Sequence, residues 1–129
     1  MTSPVRLLFF TQTLGCETCT QTRQILDELP SLSDKIAIEE ANLVLDADKA
    51  KQYGVDRVPS IAVLGQAAGG EERDSRIRFV GTPAGYEFIS LVHAVLLVGG
   101  GESTLTEESR RRLAAVDKPV VMQVFTTPT

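Results

Sequence analysis

The chain has two cysteines, Cys16 and Cys19, which stand three positions apart after a short apolar run. Glu17 and Thr18 separate them, and apolar residues at helical spacing follow Cys19. Two thiols at this spacing lie one turn apart on the same face of a helix, where their sulfurs can reach each other. The spacing alone leaves three interpretations open: a redox-active pair, an inert pair and a metal site.

The expected position of the pair, where a strand turns into a helix, favours redox chemistry. Unpaired backbone N–H groups and the positive end of the helix dipole stabilise a thiolate in the first helical turn and lower its pKa. Cys16 is then expected to be the exposed attacking nucleophile, and Cys19 the buried thiol that resolves the mixed disulfide. A closed zinc site needs four ligands, whereas the chain adds a single histidine, His93, far along the sequence. No metal is therefore expected.

Glu17 is expected to modulate the reactivity of the pair. Its negative charge beside the Cys16 thiolate opposes the help of the helix dipole. We therefore expect a less depressed pKa for Cys16, and a weaker oxidant, than a neutral or basic residue at this position would give.

The overall composition limits the classes of partner. The chain has 129 residues, of which 43% are hydrophobic and 23% charged, as in one domain with a packed core. A net charge of −4 argues against nucleic acid as a partner. The longest apolar stretch, 88–98, is too short for a membrane span, so no membrane association is expected. No secretory signal is recognised at the start, and a cytoplasmic location is expected, where structural disulfides are rare.

The pattern of apolar residues alternates between strand and helix types. Strands are expected at 5–11, 35–43, 60–64, 76–80 and 120–125. One helix is expected after Cys19 and ends at Pro30, and further helices are expected at 47–53, 82–98 and 105–116. This order predicts an α/β mixed-sheet sandwich with helices on both faces, followed by an extra C-terminal helix and strand. Because helices connect the first three strands, those strands are expected to be parallel, whereas the third and fourth should form an antiparallel hairpin.

A second candidate motif, Val58-Pro59, directly precedes the third predicted strand. A proline at the start of a strand cannot donate a hydrogen bond to the sheet, so it belongs at an edge or a bend. The Val58–Pro59 bond can be cis here, with the bend holding Val58 near the cysteines. The free backbone groups would then form an edge that binds an extended peptide, which makes Val58 and Pro59 the predicted substrate-binding residues.

Taken together, these motifs resemble the thioredoxin and glutaredoxin superfamily. The matching parts are Cys16-Glu17-Thr18-Cys19 after the first strand and Val58-Pro59-Ser60 before the third. The stretch FVGTPAGYEF, residues 79–88, is similar to the first unit of the two-unit, glutaredoxin-like protein disulfide oxidoreductases. The resemblance implies a thioredoxin-like fold, a nucleophilic Cys16, a resolving Cys19 and a cis Pro59.

The same resemblance implies a function, and leaves two classes open. In the first, the chain is a protein disulfide oxidoreductase that acts on protein disulfides and dithiols, is recycled by a flavoprotein reductase, and uses no cofactor beyond its own disulfide. In the second, it is an electron-relay or docking module with little independent activity, as in the N-terminal domain of the alkyl hydroperoxide reductase flavoprotein.

The sequence departs from thioredoxins proper at two places. It contains no tryptophan, and Phe10 stands six residues before Cys16, where those proteins keep a buried carboxylate. No proton acceptor for Cys19 is therefore visible on the first strand.

The C-terminal stretch PVVMQVF is similar to the opening PVRLLFF. A repeat of this kind indicates tandem units. Residues 1–116 are thus expected to form one thioredoxin-like unit, and 117–129 a linker and the first strand of a second, truncated unit. Because an apolar strand with an unpaired backbone seeks a partner, 120–125 are expected to join a sheet edge, either in the same chain or in a second copy to give a homodimer.

Overall fold

The computed structural model describes residues 1–127 of the chain. It contains one four-stranded sheet, four α-helices and a single 3₁₀ turn at Leu29–Ser31. The elements are, in chain order, β1 (Val5–Thr11), α1 (Cys19–Leu26), β2 (Ile36–Asn42), α2 (Ala47–Gln52), β3 (Ser60–Gln66), β4 (Glu72–Val80), α3 (Tyr86–Val98) and α4 (Glu107–Ala114).

The sheet has the strand order β2-β1-β3-β4, so that β1 and β3 lie in its centre. Both central strands are mostly apolar, and most of their side chains are buried. A strand that is apolar at consecutive positions is stable when both faces of the sheet are covered. The predicted α/β sandwich with a mixed sheet is therefore confirmed.

Helices cover the two faces of the sheet, and each face has its own apolar cluster. Cluster 1 joins β1 and β3 to α1 and α3, and its members include Phe9, Cys19, Leu26, Leu91 and Val95. Cluster 2 lies on the α2 side, and comprises Leu8, Phe10, Ala41, Ala50, Ala62 and Leu64. The cysteine-bearing helix is thus fixed to the sheet by burial of its apolar face.

The prediction that the first three strands are parallel is correct for β1 and β2 and wrong for β3, which pairs antiparallel with β1. The reason is the length of α2. Its six residues rise about 9 Å, whereas a return along a seven-residue strand requires about 23 Å. The chain therefore starts β3 at the edge of the sheet where β2 ends, and β3 runs in the opposite direction.

The strand directions bring the ends of β1 and β4 and the start of β3 to one edge of the sheet. β1 ends beside the start of β3, where Phe10 faces Ser60, and β4 ends there too, because Val80 also pairs with Ser60. The loop that follows β1 carries Cys16, and the residues before β3 are Val58 and Pro59. The fold thus places the two predicted motifs side by side.

α2 and α4 start and end close to the predicted positions, whereas α1 and α3 each begin later than predicted. α3 begins at Tyr86 and not at Thr82, because Gly85 has a φ of 61°, which interrupts helical geometry before that point. Thr106 caps α4, since its hydroxyl accepts a hydrogen bond from the backbone N–H of Ser109 at 3.2 Å. Within residues 1–127, no helix has the length and apolar character that crossing a membrane requires.

The strand predicted at 120–125 does not form within this chain, and that prediction is wrong for the described residues. The apolar side chains of the segment are 70% to 88% exposed. The segment follows α4, which buries none of its residues, so that nothing packs this part of the chain against the sheet. Pairing with a second copy, and the assignment of 117–129 to a second unit, stay predictions.

Deletion of residues 117–129 is expected to leave the fold of 1–116 intact. Because the apolar side chains of 120–125 are exposed, their removal loses no buried apolar area. The melting temperature, followed by far-UV circular dichroism, should stay within about 2 °C of that of the full chain. A fall of about 5 °C or more would show that the segment stabilises the unit.

Candidate active site: the Cys16–Cys19 pair

Cys16 and Cys19 are joined in a disulfide, with their Cα atoms 5.5 Å apart. Cys19 is the first residue of α1, and Thr18 is its N-cap, so the helix begins later than the sequence suggests. Cys16 lies in the loop before the helix and not in its first turn. That loop is fixed by the side chain of Gln12, whose Nε2 donates a hydrogen bond to the carbonyl of Leu14 at 2.6 Å.

The two cysteines differ in burial. Cys19 is 6% exposed and belongs to cluster 1, whereas Cys16 is half-buried and packs against that cluster from outside. A reagent in solution therefore meets Cys16 before Cys19. This asymmetry supports the roles expected from the sequence, nucleophile for Cys16 and resolving thiol for Cys19, which stay predictions.

Val58 and Pro59 lie at the same edge of the sheet, and the peptide bond between them is cis. Val58 is half-buried and packs against both apolar clusters, including the one that holds Cys19. The carbonyl of Pro59 accepts a hydrogen bond from the N–H of Gly81 at 2.8 Å. Within residues 1–127, the backbone N–H and C=O of Val58 make no hydrogen bond, so that both groups are free to pair with an extended peptide.

The loop that leads to Val58 is anchored at its start by Arg78 on β4. The Arg78 guanidinium donates from Nε and Nη2 to the carbonyl of Tyr53, at 3.1 and 3.0 Å, and forms an ion pair with Asp74 at 2.6 Å. The hydrogen bond from Arg78 is the main reason why the pKa of Asp74 lies below its ordinary value. The C-terminal end of α2, and with it the start of this loop, is therefore held against β4.

The two charged residues that precede Val58, Asp56 and Arg57, form an ion pair with each other. Arg57 Nε and Asp56 Oδ1 are 3.0 Å apart, and this hydrogen bond holds the pKa of the Asp56 carboxyl below its usual value. Both side chains are exposed. The Ser60 hydroxyl donates to the carbonyl of Arg57 at 2.6 Å, which fixes the end of the loop just before β3.

Cys19 belongs to the apolar cluster 1, and Thr22, a buried polar residue that sequence reasoning missed, follows it on α1. Phe10 is fully buried in cluster 2, on the opposite face of the sheet from Cys19. The buried polar residues in the described part of the chain are Thr22 and Ser60, and neither is a carboxylate. Thr22 lies one turn after Cys19, and its hydroxyl contacts that of Thr82. No short motif marks this pair, because the two residues are 60 positions apart.

The described residues bring no three His, Cys, Asp or Glu side chains together at metal-binding geometry. His93, the one histidine of the chain, is exposed on α3. The predicted absence of a metal and of a cofactor stays a prediction.

In the reduced protein, Cys16 is expected to react with iodoacetamide before Cys19. Its sulfur is the more exposed of the two, and it precedes the N-terminus of α1. At neutral pH, peptide mass spectrometry should find labelling of Cys16 about tenfold faster or more. Preferential labelling of Cys19 would reverse the assignment of roles.

Substitution of Glu17 by glutamine is expected to lower the pKa of Cys16 and make the pair more oxidising. Glu17 is exposed and adjacent to Cys16, so its charge acts through solvent, and the shift should be about half a unit at 0.1 M salt. The pKa is measured from thiolate absorbance at 240 nm. Glu28→Gln, beyond the far end of α1, is the matched control and should change nothing. An increase in the pKa on Glu17→Gln would contradict the electrostatic argument.

Comparison with known proteins gives a consistent family. No family model matches the chain. A protein of Methanothermobacter thermautotrophicus described as "Probable Thioredoxin" is 30% identical over 79 residues, which are 60% of this chain and 81% of that protein.

Two solved structures share the fold over most of the chain. The NTD_N/C domain of alkylhydroperoxide reductase AhpF from Enterococcus faecalis has 31% identity and a TM-score of 0.78, over 92% of this chain and 55% of that one. A protein disulfide oxidoreductase from Aeropyrum pernix has 27% identity and a TM-score of 0.75, over 89% and 48%. The chain thus spans about half the length of these two structures. The chain shares the thioredoxin fold and has the Cys16–Cys19 disulfide, and it matches 81% of the Methanothermobacter thermautotrophicus protein at 30% identity. The chain therefore belongs to the thioredoxin family.

Proposed function

We propose that this protein is a thiol–disulfide oxidoreductase that exchanges disulfides with protein substrates through Cys16 and Cys19. The observation that carries the proposal is the position of the disulfide. Its half-buried residue, Cys16, lies at the same sheet edge as Val58, whose backbone N–H and C=O are free. An extended substrate segment that pairs with Val58 would present its own sulfur to Cys16.

The exchange has two steps, which together transfer two electrons. The Cys16 thiolate attacks one sulfur of the substrate disulfide, the substrate S–S bond breaks, and one substrate thiolate leaves. The Cys19 thiolate then attacks Cys16, which releases the second substrate thiolate and forms the Cys16–Cys19 disulfide. Both substrate thiolates take protons from water, since the buried polar residues beside Cys19 include no carboxylate among residues 1–127. The reverse sequence oxidises a substrate dithiol.

A flavoprotein reductase is the proposed partner that returns the disulfide to the dithiol. The support is the likeness to the N-terminal domain of alkylhydroperoxide reductase AhpF, over 92% of this chain. The cytoplasmic location expected from the sequence stays a prediction.

Reduction of insulin by dithiothreitol tests the proposed function. The wild-type protein should shorten the lag before insulin precipitates. Cys16→Ser should restore the lag of dithiothreitol alone, because the other cysteine of the chain, Cys19, is buried. Thr20→Ser, an equally small change on an exposed part of α1, is the matched control and should behave as wild type. Acceleration by Cys16→Ser equal to that of wild type would contradict the proposal.

An electron-relay module is the second candidate function, and the likeness to the AhpF domain favours it specifically. In that case the dithiol would equilibrate with glutathione but would not accelerate insulin reduction. The insulin assay, together with a titration of the dithiol against glutathione, therefore separates the two functions.

A further inference from the structure

Two hydroxyl groups from distant parts of the chain meet beside the cysteines. The Oγ1 atoms of Thr22 on α1 and of Thr82 after β4 are 2.9 Å apart. The side chain of Thr22 is completely buried on the cluster 1 side, among apolar residues. A buried hydroxyl in such surroundings is costly unless it is hydrogen-bonded, and Thr22 has two partners, the Thr82 hydroxyl and the carbonyl of Thr18.

The direction of the hydrogen bonds follows from the number of protons. Thr22 Oγ1 is also 2.8 Å from the carbonyl oxygen of Thr18, which can only accept. A hydroxyl carries one proton, so Thr22 donates it to Thr18 and must accept from Thr82. The chain of hydrogen bonds therefore runs from Thr82 through Thr22 to the carbonyl of Thr18, the residue directly before Cys19.

The other end of this chain reaches the predicted substrate-binding edge. Thr82 follows Gly81, and the Gly81 N–H donates to the carbonyl of Pro59 at 2.8 Å. One covalent and hydrogen-bonded path thus connects Pro59 with the turn between the two cysteines.

We propose that Thr22 and Thr82 are positioning residues for the disulfide exchange, and that they hold the turn between the cysteines in a fixed place against the Val58–Pro59 edge. The proposal rests on the proposed function, since it concerns the exchange carried out by Cys16 and Cys19. Neither hydroxyl reacts. Both act through the backbone of Thr18.

A fixed turn keeps the two sulfurs near each other in the reduced protein and so raises their effective concentration. The relevant equilibrium is protein dithiol plus oxidised glutathione giving protein disulfide plus two reduced glutathiones. The Thr18 carbonyl also accepts the backbone N–H of Thr22 at 3.0 Å, so removal of either hydroxyl loosens the turn without freeing it. The constant of this equilibrium should then fall about three- to tenfold, as expected for the loss of one buried hydrogen bond. This is a shift of about 15 to 30 mV towards less negative potentials, because tenfold equals about 30 mV for two electrons.

The experiment titrates seven proteins with glutathione redox buffers and counts alkylated thiols by mass. Thr22→Val and Thr82→Val remove one hydroxyl each at nearly constant shape, whereas Thr22→Ser and Thr82→Ser keep the hydroxyl and should restore the wild-type constant. Thr20→Val makes the same change at an exposed position of the same helix and should have no effect. Wild type is the reference.

The double variant Thr22→Val/Thr82→Val should shift the constant no more than either single variant does, because the two hydroxyls form one chain. Wild-type constants in both single valine variants, even with lowered melting temperatures, would overturn the proposal and leave the pair a structural role only. If Thr22→Val does not fold, the half-buried Thr82→Val decides the outcome by itself. The equilibrium is measured without any protein substrate, so its result is independent of failure in the insulin assay.

Discussion

Replacement of Cys19 by serine is expected to leave the protein covalently attached to its substrate through Cys16. The half-buried Cys16 can still attack a substrate disulfide, but nothing inside the protein can then release the second substrate thiolate. Loss of the intramolecular attack should slow this release by about 1000-fold or more. On non-reducing gels, Cys19→Ser mixed with a disulfide-containing protein should accumulate an adduct of the summed mass, which dithiothreitol cleaves.

The matched control for this adduct experiment is Cys16→Ser, which keeps only the buried cysteine of the pair. Cys19 is 6% exposed and packs in cluster 1, so its sulfur should be shielded from a folded substrate. An adduct of Cys16→Ser equal to that of Cys19→Ser would show that burial does not divide the roles. The proposed mechanism would then be wrong in its order of attack.

The positions of the core strands can be predicted from the sequence, whereas the structure of the C-terminal segment cannot. β1 and β3 are runs of apolar residues whose burial follows from composition alone, and both lie close to their predicted ranges. The direction of β3 was predicted wrongly because it depends on the length of α2 and not on the residues of β3. The apolar run at 120–125 has the same local pattern as β1, yet it stays exposed because no helix or strand packs against it.

Some residues of the site are marked by a local pattern in the sequence, whereas others are brought together only by the fold. Cys16, Cys19 and Pro59 each carry a local signal, namely the spacing of two thiols and a proline before a strand, and the fold brings them to one edge. The contact between Thr22 and Thr82 joins positions 60 residues apart and is formed by two common polar residues. Only the packing of α1 on the sheet brings these hydroxyls together, so no pattern in the sequence could show the pair.

The packing beneath the cysteines leads to the second large effect. Phe9 is completely buried in the middle of β1, between β2 and β3, and it belongs to the same apolar cluster as Cys19. The position of the resolving thiol therefore depends on a side chain that takes no part in the chemistry. A cavity at Phe9 should loosen the support of α1 as well as lower the stability of the fold.

Phe9→Ala is accordingly expected to lower the free energy of unfolding by about 3 to 5 kcal/mol, a large part of the 5 to 15 kcal/mol typical of a domain. The value is measured by urea denaturation of the oxidised protein. Phe125→Ala is the matched control, because the same side chain is 88% exposed there and its loss should change the free energy of unfolding by less than about 0.5 kcal/mol. In the reduced variant, alkylation of Cys19 should also become faster, since the cavity lies in its own cluster. A loss below about 1 kcal/mol in Phe9→Ala, or unchanged protection of Cys19, would show that the cysteine helix does not depend on this part of the core.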